Sequence, residues 1–282
     1  MAKRLSTLAW VVAAAFCGSS PALAAPVLAS DLASFAVLGA TGVTNVPTST
    51  IGGNLGSAPN ASVGGGYVFT SGSLQQNTAL AQNAQLQLDA AILTLNGMAS
   101  SGVLGADLTG TINPGVWDVA AGVTNLSGSL ILDGLGDSNA VWVFRFASTL
   151  ITSSTSNVTV TNVGSGAGVG LYWSVGSAAT LDGITFAGNV LAQTLISSDG
   201  NLTMGCGRLL SATAQVTLIQ DTISLGCAGF TGSGGFDQGA DIGSGGTGGS
   251  GGEVVNGVPE PATLALLGVA LAGLGWTRRR RG

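Results

Sequence analysis

The sequence predicts a mainly β fold, a parallel β-solenoid with one long α-helix along its side. Three observations predict it. Most of the chain reads as short apolar runs separated by Gly, Ser and Asn, and a weak repeat of 18 or 19 residues marks its C-terminal half. One segment alone has helical spacing. Buried parallel strands joined by tight glycine turns are the pattern of stacked coils.

Taken in order, residues 1–24 read as a signal peptide. Lys3 and Arg4 precede an apolar stretch from Leu8 to Phe16, and Ala22-Leu23-Ala24 supplies a small-x-small cleavage pattern. Removing it takes away Cys17 and leaves Cys206 and Cys227, an even count that suggests a disulfide in an exported chain. Residues 25–230 form the domain. Within it, residues 73–96 predict the helix: Leu80, Ala84, Leu88, Ala91, Leu95 and Met98 share one face. Ser73 with Gln76 makes a capping box, and Gly97 is a stop. Such a helix needs a flat partner, and the side of a solenoid provides one.

The strands follow. Residues 140–146 and 168–175 suit strands buried on one or both faces, and residues 157–163 alternate apolar with hydroxyl or amide side chains. In the repeat, Gly188 and Gly207 are offset by 19, and Thr180, Ser198 and Thr217 by 18 and 19. That length suits one coil of three short strands, and it puts Cys206 and Cys227 on adjacent coils. An antiparallel sandwich also has short alternating strands, so periodicity alone leaves that reading open.

Beyond Phe230 the composition changes. Residues 231–257 are a Gly/Ser-rich linker with almost nothing to bury, reaching on the order of 25–30 Å as a random coil. Residues 258–282 hold Pro259-Glu260-Pro261, an apolar run over 262–276, and Arg278 to Arg281. A helix of that run would be roughly 22 Å long, short for a permanent span, with its arginines held at the cytoplasmic side. This order resembles the PEP-CTERM sorting signal of Gram-negative bacteria. The resemblance implies an exosortase-type partner, transient residence of the helix in the inner membrane, and delivery to the cell surface or matrix. An ordinary C-terminal anchor is the alternative.

Charge is nearly absent from the domain and linker. Between residues 25 and 257 there are twelve acids against two bases, Arg145 and Arg208, with no His and no Lys. Nucleic acid is excluded as a partner, because its phosphates are held by clustered Lys and Arg. The sequence calls for no cofactor and no metal. Catalysis needs positioned acids and bases that this composition scarcely supplies. Asp133 and Asp137 have the spacing of a carboxylate pair, but within Asp-Gly-Leu-Gly-Asp they read as a turn, as do Asp182-Gly183 and Asp199-Gly200. The chain therefore reads as no enzyme.

The ordered segments carry a family resemblance. Residues 34–44 lead to Gly53-Asn54-Leu55-Gly56-Ser57-Ala58-Pro59, then Asn113-Pro114-Gly115-Val116-Trp117, residues 137–144, residues 173–181 and Gly207-Arg208-Leu209-Leu210-Ser211. In this order, over about residues 28–228, they resemble the microbial ice-binding protein family. The resemblance implies a right-handed β-helix of triangular cross-section with a flanking helix, and adsorption to ice through one flat face. The family's face motif is Thr, Ala or Gly, any residue, then Thr or Asn. Thr41-Gly42-Val43-Thr44 fits it, whereas Thr109-Gly110-Thr111 ends in Ile112 and Thr213-Ala214-Gln215 in Val216. Candidates for the face are Thr41, Thr44, Ser62, Thr152, Thr180, Ser198 and Thr217. The partners expected are ice or ordered water, the sorting enzyme, and exopolysaccharide; a matrix or adhesion protein without ice activity is the runner-up.

Overall fold

A computed structural model describes residues 27–183, 185–230 and 234–238. The residues read as a signal peptide, most of those read as a linker, and the sorting segment lie outside the described residues. The chain enters through a short helix, α1 (Ser30–Ala33), then β1 (Phe35–Gly39), β2 (Gly42–Gly52), β3 (Asn54–Ser57), β4 (Val63–Ser71) and β5 (Leu74–Gln76). The long helix α2 (Ala79–Gly97) follows. After it come β6 (Gly102–Leu104), β7 (Gly110–Ile112), β8 (Gly115–Val119), β9 (Ser129–Asp133), β10 (Val141–Phe146), β11 (Leu150–Ile151) and β12 (Asn157–Thr161). The last coils hold β13 (Gly170–Val175), β14 (Ala179–Leu181), β15 (Thr185–Ala192), β16 (Ile196–Ser198), β17 (Thr203–Ser211), β18 (Gln215–Leu218) and β19 (Thr222–Ser224).

All of these strands pair in parallel, in three ladders that make three sides of one stack. The first side runs β6-β8-β10-β13-β15-β17-β1-β3-β5. The second runs β11-β14-β16-β18-β2-β4. The third runs β7-β9-β12-β15-β17-β19-β2-β4, the long strands bending around a corner to serve two sides. This is the solenoid the sequence predicts. Its order holds one surprise: the N-terminal coil stacks on the C-terminal one, with β1 beside β17 and β2 beside β18 and β19. The helix carries the chain from the N-terminal coils back along the stack.

Inside lies an apolar column in which Phe144 stacks on Trp173 at 4.6 Å and Trp173 meets Phe186 at 5.0 Å. The Trp173 indole donates to the Ala187 carbonyl at 2.9 Å, so its polar end is satisfied in the core. Gly188 adopts φ +96°, and a Cβ there would run into Leu171 and Trp173. Only glycine meets both demands.

The first side is covered. Ala81, Ala84, Leu88, Ala91, Ile92 and Leu95 of α2 pack on Leu38, Val141, Val143, Tyr172, Leu191 and Leu210. The central strands there, β10 and β13 among them, bury both faces, which explains the unbroken apolar runs at 140–146 and 168–175. The helix starts later than residues 73–96 suggest. Ser73 does not cap it, because Leu74–Gln76 add one more strand to the first side. Thr78 is the N-cap instead, its hydroxyl accepting from the Ala81 amide at 3.3 Å. At the far end Arg145 donates to the carbonyls of Asn96 and Met98 at 3.0 and 2.7 Å, closing the helix C-terminus with a cation. Asp118 holds that guanidinium at 2.8 Å.

The segment after β19 returns to the same side. Cys206 and Cys227 are joined, stapling β17 to the turn beyond β19, as their spacing suggests. Phe236 is buried in the core, and Asp237 bridges to Gly170.

Candidate ice-contact face

With α2 and the 234–238 segment over the first side, no other described segment covers the second and third sides. On the second side the pairings put Thr180 opposite Ser197, Ser197 opposite Thr217, and Thr217 opposite Thr44. Their neighbours Ala179, Ile196, Val216 and Val43 point inward and are fully buried. Strand alternation therefore turns the four hydroxyl residues outward. Successive strands stand about 4.8 Å apart, so the row spans roughly 14 Å. The Thr44 hydroxyl donates to that of Thr217 at 3.3 Å. Ile151 extends the row at one end and Gly64 at the other.

A second hydroxyl position recurs three residues upstream on these coils. Ser177, Thr194, Ala214 and Thr41 each sit two residues before the paired Ala179, Ile196, Val216 and Val43. The Thr-x-x-Thr of residues 41–44 is thus echoed by 177–180 and 194–197, and by the second threonine alone in 214–217. The residue that corresponds to Thr41 on the last coil is Ala214, one position after Thr213.

The candidates divide accordingly. Thr44, Thr180 and Thr217 share the row. Thr41 is exposed in the turn leading into β2, and Ser62 is exposed just ahead of β4. Ser198 and Thr152 do not reach the surface. Ser198 faces inward beside Leu181 in the pairing, and its hydroxyl donates to Asp221. Thr152 is buried, with its hydroxyl donating to the Asp182 carbonyl. Both belong to the corner between the open sides. There Asp221 also accepts from the amides of Leu202 and Ile219, each at 3.0 Å. Ser49 takes the Asp221 amide at 2.8 Å and donates to Asn45 at 2.8 Å. This buried chain of hydrogen bonds ties three coils together and fixes the open sides relative to each other. Burial raises the Asp221 carboxyl above the ordinary aspartate range, against the lowering effect of those hydrogen bonds.

The carboxylates weighed for other chemistry are engaged in turns. Asp133 accepts from the Leu135 amide at 2.9 Å and from Asn162 at 2.8 Å, which hold it below its usual range. Asp137 accepts from the Asn139 amide and Asp182 from the Gly183 amide. Among the described residues no cluster of His, Cys, Asp or Glu could hold a metal ion.

A family model described as ice-binding-like matches residues 37–224, spanning both ends of the hydroxyl row. The chain belongs to this family. An ice-binding protein of Nostoc sp. (strain HG1) is 36% identical over 206 residues, covering 68% of this chain and 72% of that one. The fold is similar to the crystal structure of an ice-binding protein from the Antarctic ascomycete Antarctomyces psychrotrophicus, with TM-score 0.61 and 32% identity over 69% of this chain and 95% of that one. An ice-binding protein from an Antarctic biological consortium gives TM-score 0.63 and 28% identity over 73% and 93% of the two chains. A second model, the PEP-CTERM protein-sorting motif, matches residues 257–281 and includes Pro259, Glu260 and Pro261.

Sequence reasoning missed Ser197, which stands next to the residue it chose. It also missed a row on the third side: Thr185 pairs with Thr203, Thr203 with Thr222, and Thr222 with Thr50. Their offsets of 18 and 19 from Thr185 to Thr222 were the available signal.

Proposed function

We infer that this chain is an exported ice-binding protein that adsorbs to ice through its second side. The observation that carries this reading is the in-register row Thr180-Ser197-Thr217-Thr44, on a face that neither α2 nor the 234–238 segment covers. Each threonine offers a methyl and a hydroxyl on a rigid strand, so little freedom is lost on adsorption. Charged groups would keep their own hydration, and none stands in the row. Relatives that are themselves named ice-binding proteins support the ligand.

Display at the surface fits the geometry. The described chain ends at Gln238 on the helix-covered side, where its amide donates to the Val169 carbonyl. A tether leaving from there departs from the covered side and from neither open one. The sorting motif supports recognition by an exosortase-type enzyme, brief membrane residence of residues 262–276, and a Gram-negative envelope or matrix rich in exopolysaccharide as the destination.

The test is ice recrystallisation inhibition and thermal hysteresis of residues 27–238, alone and as Thr217→Tyr. A bulky ring in the middle of the row should lower both activities several-fold while the thermal melt stays unchanged. A folded variant with parental activity would refute the assignment to this side, and an inactive parent would refute ice binding itself.

A further inference from the structure

Residues 234–238 follow the last strand and meet the ladder only at the single bridge of Asp237 with Gly170. Backbone pairing holds them through the Leu171 amide, which donates to the Phe236 carbonyl at 3.0 Å, and through the Gln238 amide, which donates to the Val169 carbonyl at 3.2 Å. Side chains of the stack do the rest. Arg208 donates to the carbonyls of Gly234 and Gly235 at 2.7 and 3.2 Å and to Asp237 at 3.1 Å. Asn189 donates to the Phe236 carbonyl at 2.8 Å, and the Tyr172 hydroxyl to the Gln238 carbonyl at 3.2 Å. Phe236 is 1% exposed and meets the Phe230 ring at 5.3 Å. Gly235, at φ +83°, lets the guanidinium come close, because a Cβ there would stand 2.7 Å from it.

A second attachment reaches the same strand. Arg208 lies on β17, and Cys206, two residues earlier on β17, is joined to Cys227. β17 is interior to the stack, paired with β15, β1 and β19. A pull arriving at Gln238 is therefore met first by the Arg208 contacts and the buried Phe236. Once those yield, the chain straightens only as far as Cys227, where the disulfide passes the load to β17. The load is then shared along both edges of a nine-residue strand instead of falling on a free end.

We propose that the end of the domain is a two-stage tension clamp. Phe236 with Arg208 is the stage that releases, and the Cys206–Cys227 bond is the stop that keeps the solenoid closed behind it. The pull comes through the sequence beyond Gln238, which carries the sorting motif. An anchor on that side and ice on the second side load the domain between them, so the proposal rests on the reading of this chain as a surface-anchored ice binder.

The experiment is optical-tweezer stretching of residues 27–238. One handle follows Gln238, and the other is a click-reactive residue replacing Val123, which is 92% exposed between β8 and β9. The clamp predicts a first release confined to residues 228–238, at most about 40 Å of extension, with the solenoid opening at a higher force. Phe236→Ala should lower the force of that first release and leave its length unchanged. Serine at both Cys206 and Cys227 should lengthen it, because peeling then runs on into β19. A thermal melt checks that each variant is folded. A folded parent that opens in one step, or Phe236→Ala releasing at the parental force, would overturn the clamp. A serine variant with a first step of parental length would overturn the disulfide as its stop. None of these readings involves ice, so the clamp can fail while ice binding stands, and an inactive parent in the recrystallisation assay would refute ice binding alone.

Discussion

Replacing Arg208 with methionine tests what holds the end of the domain to its core. Arg208 is 1% exposed, in a chain with few charges to bury. Its guanidinium donates to the Ala33 carbonyl at 2.6 Å, to Asn189 at 2.7 Å, to the Gly234 carbonyl at 2.7 Å and to Asp237 at 3.1 Å. One side chain thus joins the N-terminal helix, the β15 strand and the returning 234–238 segment. Burial lowers its pKa, and the Asp237 carboxylate opposes that shift. Methionine fills much of the volume but orphans those carbonyls and leaves Asp237 without its cation. Breaking such a buried pair costs about 3–5 kcal/mol. For a domain of this size that lowers the melting temperature by roughly 10 °C. The assay is a circular-dichroism melt of residues 27–238 as parent, Arg208→Met, Asp237→Asn and the double variant. The double variant should cost less than the two singles added, by about 2 kcal/mol, because neither charge is then left alone. A melt of Arg208→Met within about 2 °C of the parent would refute the clamp, as would strict additivity. The variant should still adsorb to ice below its melt, since the clamp lies on the side away from both rows.

Two further outcomes are expected. Cysteine-to-serine replacement at both Cys206 and Cys227 opens a link across 21 residues and should cost about 3 kcal/mol, read from urea unfolding; an unchanged midpoint would show that the staple adds nothing. Asp221 has a folded-state pKa above its usual 3.8, so its proton-linked contribution is complete below that value and is lost as pH rises through the folded one. The stability of the parent relative to Asp221→Asn should therefore fall as pH rises over that window, and a flat or rising difference would contradict the burial argument.

Much of the fold was legible, for physical reasons. Strands covered on both faces must be apolar throughout, so residues 140–146 and 168–175 announced the helix-covered side. Gly188 and Gly207 do pair, as their offset of 19 suggested, because the tight packing of the coils admits no side chain there. Parity was not legible. Thr180 lies opposite Ser197 and Ser197 opposite Thr217, so the spacing is 17 and then 20, and a count of 18 and 19 lands on the buried Ser198. Corners of varying length absorb the difference, and only backbone pairing shows which residue points out. The same count applied five residues later would have found Thr185, Thr203 and Thr222. The helix start was obscured in another way: Leu74–Gln76 are polar enough to sit on a helix surface, yet the edge of the stack claims them as a strand.

The least legible feature is also the one on which the rows depend. Thr44 and Thr217 touch across 173 residues of sequence, because the first coil closes onto the last. Without that closure the second-side row stops at Thr217 and the third-side row at Thr222. The motif at residues 41–44 would then stand on two N-terminal coils of its own, too few to bury a core. Closure is secured from several directions: β1 pairs with β17, Asp221 binds Ser49 through its amide, and Arg208 holds Ala33. All three contacts join the N-terminal coil to the C-terminal one, so the rows are completed by the same step that completes the core. Their regularity is a property of the whole folded domain and not of any one coil. It follows that ice adsorption should be lost together with global unfolding in urea, in a single transition, with no earlier step as one end frays.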